Sequence, residues 1–191
     1  MQRKNIVQDI YTKLVQPDTS AIVLTGIGGI GKSTLAALVY NYMEEQCRFG
    51  SGPFAAEGLW LTVNDSVAFI DLASTIFDAL GKPLPDFSSL SSHSQVLSLM
   101  NTLNSADKPR LIVLDQFEQF LDAQTGLPLA NRPGVGEWLD ALNSQLCRCR
   151  FLLTSRPRPR GTHEYPPTFV QEYRVEGLTG CQAKGDGTDL E

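Results

Sequence analysis

Histidine is almost missing from this 191-residue chain: only His93 and His163 occur, one in a serine-rich stretch and one in a proline-rich one. Two isolated histidines give no spacing for a histidine metal centre or a Ser-His-Asp triad. The four cysteines, at 47, 147, 149 and 181, include one C-x-C and no second pair. That excludes the usual zinc frameworks and reads as free thiols in a reducing compartment. No apolar run is long enough to cross a bilayer, and no secretory leader pattern opens the chain, so no membrane partner is expected and the expected location is cytoplasmic. A basic excess is lacking too: 16 Lys and Arg face 21 Asp and Glu, for a formal charge of −5. General nucleic-acid binding is therefore disfavoured. Arg148, Arg150, Arg156, Arg158 and Arg160 form a local cluster, but few aromatics interleave with it. It reads as a solvated or partner-facing loop. No internal repeat is present.

What remains is an ordinary globular composition, 42% apolar and 19% charged. The length suits one domain, at roughly 100–200 residues per domain, expected over residues 1–180. Residues 181–191 read as a solvated tail, with Leu190-Glu191 as an expression scar.

The most informative stretch is Leu24 to Ala36, LTGIGGIGKSTLA. Gly26, Gly31, Lys32 and Ser33 fit G-x-x-x-x-G-K-[ST], the phosphate-cradling P-loop. Ala21–Thr25 is a short apolar run suited to a buried strand. Gly26, Ile27, Gly28, Gly29, Ile30 and Gly31 form the loop, whose glycines allow backbone N–H groups to aim inward. Lys32 supplies a cation for the β- and γ-phosphates, and Ser33 a hydroxyl for Mg²⁺. A helix over 35–45 turns its positive end toward the phosphates.

Along the rest of the chain, Ile6 to Val15 has helical apolar spacing and Pro17-Asp18 ends it. Residues 59–63, 111–114, 151–154 and 168–175 read as strands. Residues 67–80, 94–104, 117–123 and 135–146 read as helices. Asn64-Asp65-Ser66 offers cap chemistry for the first of these, and Gly81 with Pro83 stops it. Short apolar strands alternating with helices predict an α/β fold, a parallel sheet covered on both faces, with ligands outside the carboxyl ends of the strands.

Two further pieces fall at such ends. Leu111-Ile-Val-Leu-Asp115 is an apolar strand closing on a carboxylate, the expected Mg²⁺-holding acid beside a P-loop. Gln116 follows, where many such ATPases carry Glu; it can orient water but not take its proton. Glu118 lies three residues beyond Asp115 and shares its face on a helical turn. It is either the general base or a carboxylate outside the chemistry. Phe151 to Arg156, FLLTSR, brings a guanidinium to a strand end, where Arg156 either reads the γ-phosphate or is solvated.

Taken together, GIGGIGKSTLA, EGLWLTVN, RLIVLDQFEQF, FLLTSR and YRVEGLT resemble, in that order and over about residues 3 to 179, the NB-ARC branch of the STAND signal-transduction ATPases. The resemblance implies an ASCE-type P-loop sheet in order 5-1-4-3-2 and ATP or ADP as ligand. It implies Lys32 with Ser33 or Thr34 on phosphate and Mg²⁺, Asp115 as the Walker B acid and Arg156 as the γ-phosphate sensor. Arg3 is the one match to the family's adenine-contacting hhGR segment. The helical and winged-helix domains of the family, and an effector domain, are not part of this sequence. The expectation is thus the ATP/ADP-binding core of a signal-transduction switch with slow Mg²⁺-dependent ATP hydrolysis, with protein partners or self-assembly acting through those flanking domains. A small-molecule kinase with the Arg156–Arg160 loop as a lid, and a non-hydrolysing scaffold, are the alternatives. No N-K-x-D guanine-reading motif is present.

Overall fold

A computed structural model describes residues 2–50, 52–163 and 169–176, with the backbone only at 2 and 3. Five short runs pair into one sheet: β1 (Ala21–Thr25), β2 (Leu59–Thr62), β3 (Leu111–Asp115), β4 (Arg150–Ser155) and β5 (Val170–Arg174). The spatial order is β2-β3-β4-β1-β5 and every pairing is parallel. This is the expected 5-1-4-3-2 order. β1, β3 and the apolar part of β4 are buried on both sides, as their unbroken aliphatic runs require.

The sheet separates two cores. Ile22, Leu24, Leu111, Val113 and Leu152 face α1 (Gln2–Leu14) and α2 (Lys32–Arg48). Ala21, Val23, Ile112, Leu114, Phe151 and Leu153 face α3 (Phe69–Ala79), α4 (Ser92–Asn104) and α5 (Val135–Ser144). This strict alternation follows from the two-residue period of a strand. It also fixes what comes next: Asp115 and Thr154 share the parity of Val113 and Leu152, so both point toward α2.

Several boundaries differ from the sequence-based expectation. α2 begins at Lys32, three residues early, because Gly31 takes a left-handed conformation (φ 100°) and serves as its N-cap. α3 begins at Phe69 rather than Val67. The Asn64 side chain is spent on an Asx turn, accepting from the Ser66 N–H at 2.9 Å, and the Ala68 N–H donates instead to Asp71 at 2.8 Å. Its C-terminus is as expected: Gly81 (φ 63°) lets Lys82 N–H reach Phe77 O and Gly81 N–H reach Asp78 O, each at 3.0 Å. α4 starts at Ser92, capped by Ser91. The helix expected over 117–123 is a single 3₁₀ turn, Phe117–Phe120. β5 is described from Val170; Thr168 and residues 177–191, including most of the expected VEGLT motif and the tail, lie outside the described residues.

Candidate functional site

Residues 26–31 join β1 to α2 at the carboxyl edge of the sheet. Ile27, Gly28 and Gly29 are exposed, whereas Lys32 is buried to 8% beneath them. The Lys32 ammonium donates to Gly26 O at 2.9 Å and Ile27 O at 3.1 Å, so it spans the loop from inside. Burial pushes its pKa down; Glu118 and Asp115 oppose that shift and Arg156 reinforces it. Thr34 follows on α2, exposed beside Ser33.

Ser33 opens the first turn of α2 and donates its hydroxyl to Asp115 Oδ1 at 2.7 Å. The same oxygen accepts from Thr154 Oγ1 at 2.6 Å. Thr154 in turn accepts from the Gln116 N–H at 2.9 Å. Gln116 is the one non-glycine residue with positive φ among the described residues (φ 61°, ψ 39°). The chain therefore kinks immediately after the carboxylate instead of continuing into a helix.

That kink changes how Glu118 reaches the site. No helical turn links 115 to 118, so the expected shared face does not exist. Instead Phe117 and Phe120, i and i+3 on the 3₁₀ turn, both bury into a ring cluster with Trp138 and Phe151. Glu118 is left between them and pairs with Arg156, Oε1 to Nε at 3.3 Å. Its second oxygen, Oε2, is buried with no hydrogen-bond partner among the described residues. Arg156 is largely exposed and lies over the loop: a Cβ on Gly28 would stand 3.6 Å from its guanidinium carbon. Lys32, Ser33, Asp115, Glu118 and Arg156 are thus collected at one place from three strand ends. The Arg3 side chain lies outside the described residues.

A family model described as the NB-ARC domain matches residues 3–133. The chain belongs to the NB-ARC family. No curated protein sequence matches it. Among solved structures, the ORC2 protein of Aeropyrum pernix in its ADP form is similar at a TM-score of 0.54 and 18% identity, covering 81% of this chain and 40% of that one. The same protein as ADPNP-ADP complexes gives 0.51 and 19%, with the same coverage. At such identity the likeness is one of fold, and this chain spans about 40% of the length of those neighbours. The NB-ARC match and the sheet order together make the chain a P-loop nucleotide-binding module.

Above the NB-ARC loop opens a cleft of about 710 Å³, lined by Gly26, Gly28, Arg156, Arg158, Glu172 and Arg174 among others. A small apolar slot beside it is formed by Ile6, Ile30, Leu35, Leu38 and Val175. A larger groove between α1 and α2, about 810 Å³, contains none of the motif residues. Sequence reasoning missed Thr154, whose place opposite Asp115 needs the β3–β4 register. It missed Glu172 as well, which accepts from Thr25 Oγ1 at 2.6 Å and pairs with Arg158 at 3.6 Å across strands distant in sequence. The arginine cluster is not one patch. Arg148 and Arg150 are tied to backbone carbonyls at the amino end of β4, and Arg156 and Arg158 stand at the other, about 20 Å away at ~3.3 Å per residue. Nor is the 156–163 segment loose: Arg160 N–H donates to Gly126 O at 2.9 Å, and His163 Nδ1 meets Asp140 Oδ2 at 2.8 Å.

Proposed function

We propose that this chain is the nucleotide-binding core of a STAND-type switch that holds ATP or ADP and hydrolyses ATP slowly with Mg²⁺. The observation that carries the reading is the meeting of Ser33 with Asp115 under the loop and of Glu118 with Arg156 over it. The adenine nucleotides in the Aeropyrum pernix ORC2 structures support ATP or ADP as the ligand class.

The donor set fits Mg²⁺. Mg²⁺ takes hard oxygen ligands, keeps several waters and needs only one or two protein groups beside phosphates. Ser33 Oγ and Asp115 supply such a pair, and Asp115 Oδ2 has no hydrogen bond among the described residues. Ser33 and Asp115 would hold the ion, which when bound neutralises charge building on the β- and γ-oxygens.

The remaining roles belong to side chains. Lys32 exchanges its two loop carbonyls for phosphate oxygens, a gain because a charged acceptor binds an ammonium more strongly than a neutral one. Gly26 to Thr34 supply backbone N–H groups and the positive end of α2. Glu118 takes the proton of the attacking water; its buried Oε2, which has no hydrogen-bond partner among the described residues, is the acceptor for it. Arg156 pairs with the γ-phosphate as charge develops there. Arg156 pairs with Glu118 in this structure and would exchange that partner for a phosphate oxygen. Protein partners or self-assembly would act through flanking domains of the kind the NB-ARC resemblance implies.

The test is a single-turnover assay with protein in excess over labelled ATP and Mg²⁺, with Lys32→Ala beside it. The expected result is bound ATP converting slowly to ADP, and no binding by Lys32→Ala. Binding unaffected by Lys32→Ala would overturn the assignment. ATP held indefinitely without cleavage would make the chain the non-hydrolysing scaffold, and transfer of phosphate to a metabolite would make it a kinase.

A further inference from the structure

We propose that Thr154 is a positioning residue that turns the Asp115 carboxylate toward the metal and fixes the turn that carries Glu118. The inference rests on the Mg²⁺-nucleotide reading above.

The direction of each hydrogen bond is dictated by chemistry. A backbone N–H can only donate, so Gln116 donates to Thr154 Oγ1. Thr154 then has its one proton free for Asp115, an acceptor, and it lies 2.6 Å from Oδ1. Ser33 donates its own proton to the same Oδ1 at 2.7 Å. Two donors on one oxygen set the rotation of the carboxylate. Oδ1 is occupied by hydroxyls, and Oδ2 has no hydrogen bond among the described residues. Because Ser33 has spent its proton on Asp115, its lone pairs are available to a cation.

Thr154 is 1% exposed and Asp115 7%, so water does not replace a lost hydroxyl easily. The second link matters as much. Gln116 is held in a left-handed conformation that L-residues avoid. Its N–H donates to the Thr154 hydroxyl on β4. The hydroxyl therefore ties the acid at the end of β3 to the turn leading to Glu118. The parallel register that sets Leu114 beside Leu153 is what brings Thr154 alongside Asp115.

The test measures affinity for AMP-PNP, with Mg²⁺ and with EDTA, in the wild type, Thr154→Val, Thr154→Ala and Thr154→Ser. AMP-PNP removes cleavage from the readout. The wild type is expected to bind more tightly with Mg²⁺. Thr154→Val should lose about ten-fold or more with Mg²⁺ and less than about two-fold in EDTA, with Thr154→Ser close to wild type in both. Thr154→Ala replaces Thr154→Val if the latter does not fold. Equal losses in both conditions would reveal a merely structural hydroxyl and overturn the inference. So would a full Mg²⁺ enhancement in a variant lacking the hydroxyl. Wild-type protein that binds AMP-PNP in neither condition would overturn the nucleotide-site reading itself. Wild-type binding that ignores Mg²⁺ would overturn the metal reading and this inference together, leaving the nucleotide site intact.

Discussion

Gln116 shows how a single residue sets the geometry of the site. Its left-handed backbone costs an L-residue about 1–2 kcal/mol, least for short polar side chains and most for β-branched ones. Gln116→Val is therefore expected to lower unfolding stability by about 1 kcal/mol, while Gln116→Asn leaves it nearly unchanged. A denaturant titration of the two variants decides the matter. Glu118 is a neighbour with a different signature. Glu118→Gln keeps the size and the Arg156 contact but removes the proposed base. It should slow single-turnover cleavage by about 10²–10⁴-fold while leaving ATP binding in place. Cleavage at the wild-type rate would place the proton acceptor elsewhere. Both residues sit within three positions of Asp115, yet the expected effect of one runs through its backbone and that of the other through its carboxylate.

At the scale of elements, α3 illustrates how local chemistry competes for a boundary. Asn64 and Ser66 are good cap residues, but they close a turn on each other, and the helix begins with Ala68 at its N-cap. The Ala68 side chain has no acceptor for the first-turn N–H groups; only its carbonyl accepts there, from the Asp71 and Leu72 N–H groups, and the Asp71 carboxylate is spent on the N–H of Ala68. Ala68→Ser should raise stability by about 0.5–1 kcal/mol, seen as a higher urea midpoint at unchanged slope. Gly81→Ala should cost a similar amount at the other end, because the left-handed residue there closes the helix. The 3₁₀ turn after β3 follows a different logic. It is held by Phe117 and Phe120 packing with Trp138 and Phe151, so its direction is set by the core and not by capping.

At the scale of the whole molecule, the two cores bury thiols as well as hydrocarbon. Cys147 and Cys149 are fully buried near the amino end of β4. Burial pushes the Cys147 thiol up to about 12, and Cys149 rises for the same reason. In the unfolded chain these thiols ionise near pH 9, whereas folded Cys147 keeps its proton until about pH 12. Above pH 9 the unfolded state therefore binds fewer protons, and stability must fall as pH rises. The loss approaches about 1.4 kcal/mol per pH unit for each such group. Urea unfolding at pH 7 to 10.5 should show flat stability to about pH 8.5 and then decline. Cys147→Ala would flatten that decline even if it lowers the plateau through its cavity.

The loop from Gly26 to Ser33, the buried strands, Asp115 at the end of β3 and Arg156 just past the end of β4 were all legible in the chain of residues. These are local properties: spacing within a motif, and apolar runs broken by turn residues. The family resemblance carried the strand order further than spacing alone, and the sheet has that order. Which side chains meet depends on how the strands pair and the helices pack. The pairing of Leu114 with Leu153 puts Thr154 against Asp115 across 39 positions of sequence. The left-handed Gln116 replaces the helical turn that i, i+3 spacing suggested, since the ring cluster under Phe117 outweighs local helix preference. One strand's length divides the arginines that composition groups together. Periodicity says which face a residue takes; only register and packing say what it touches there.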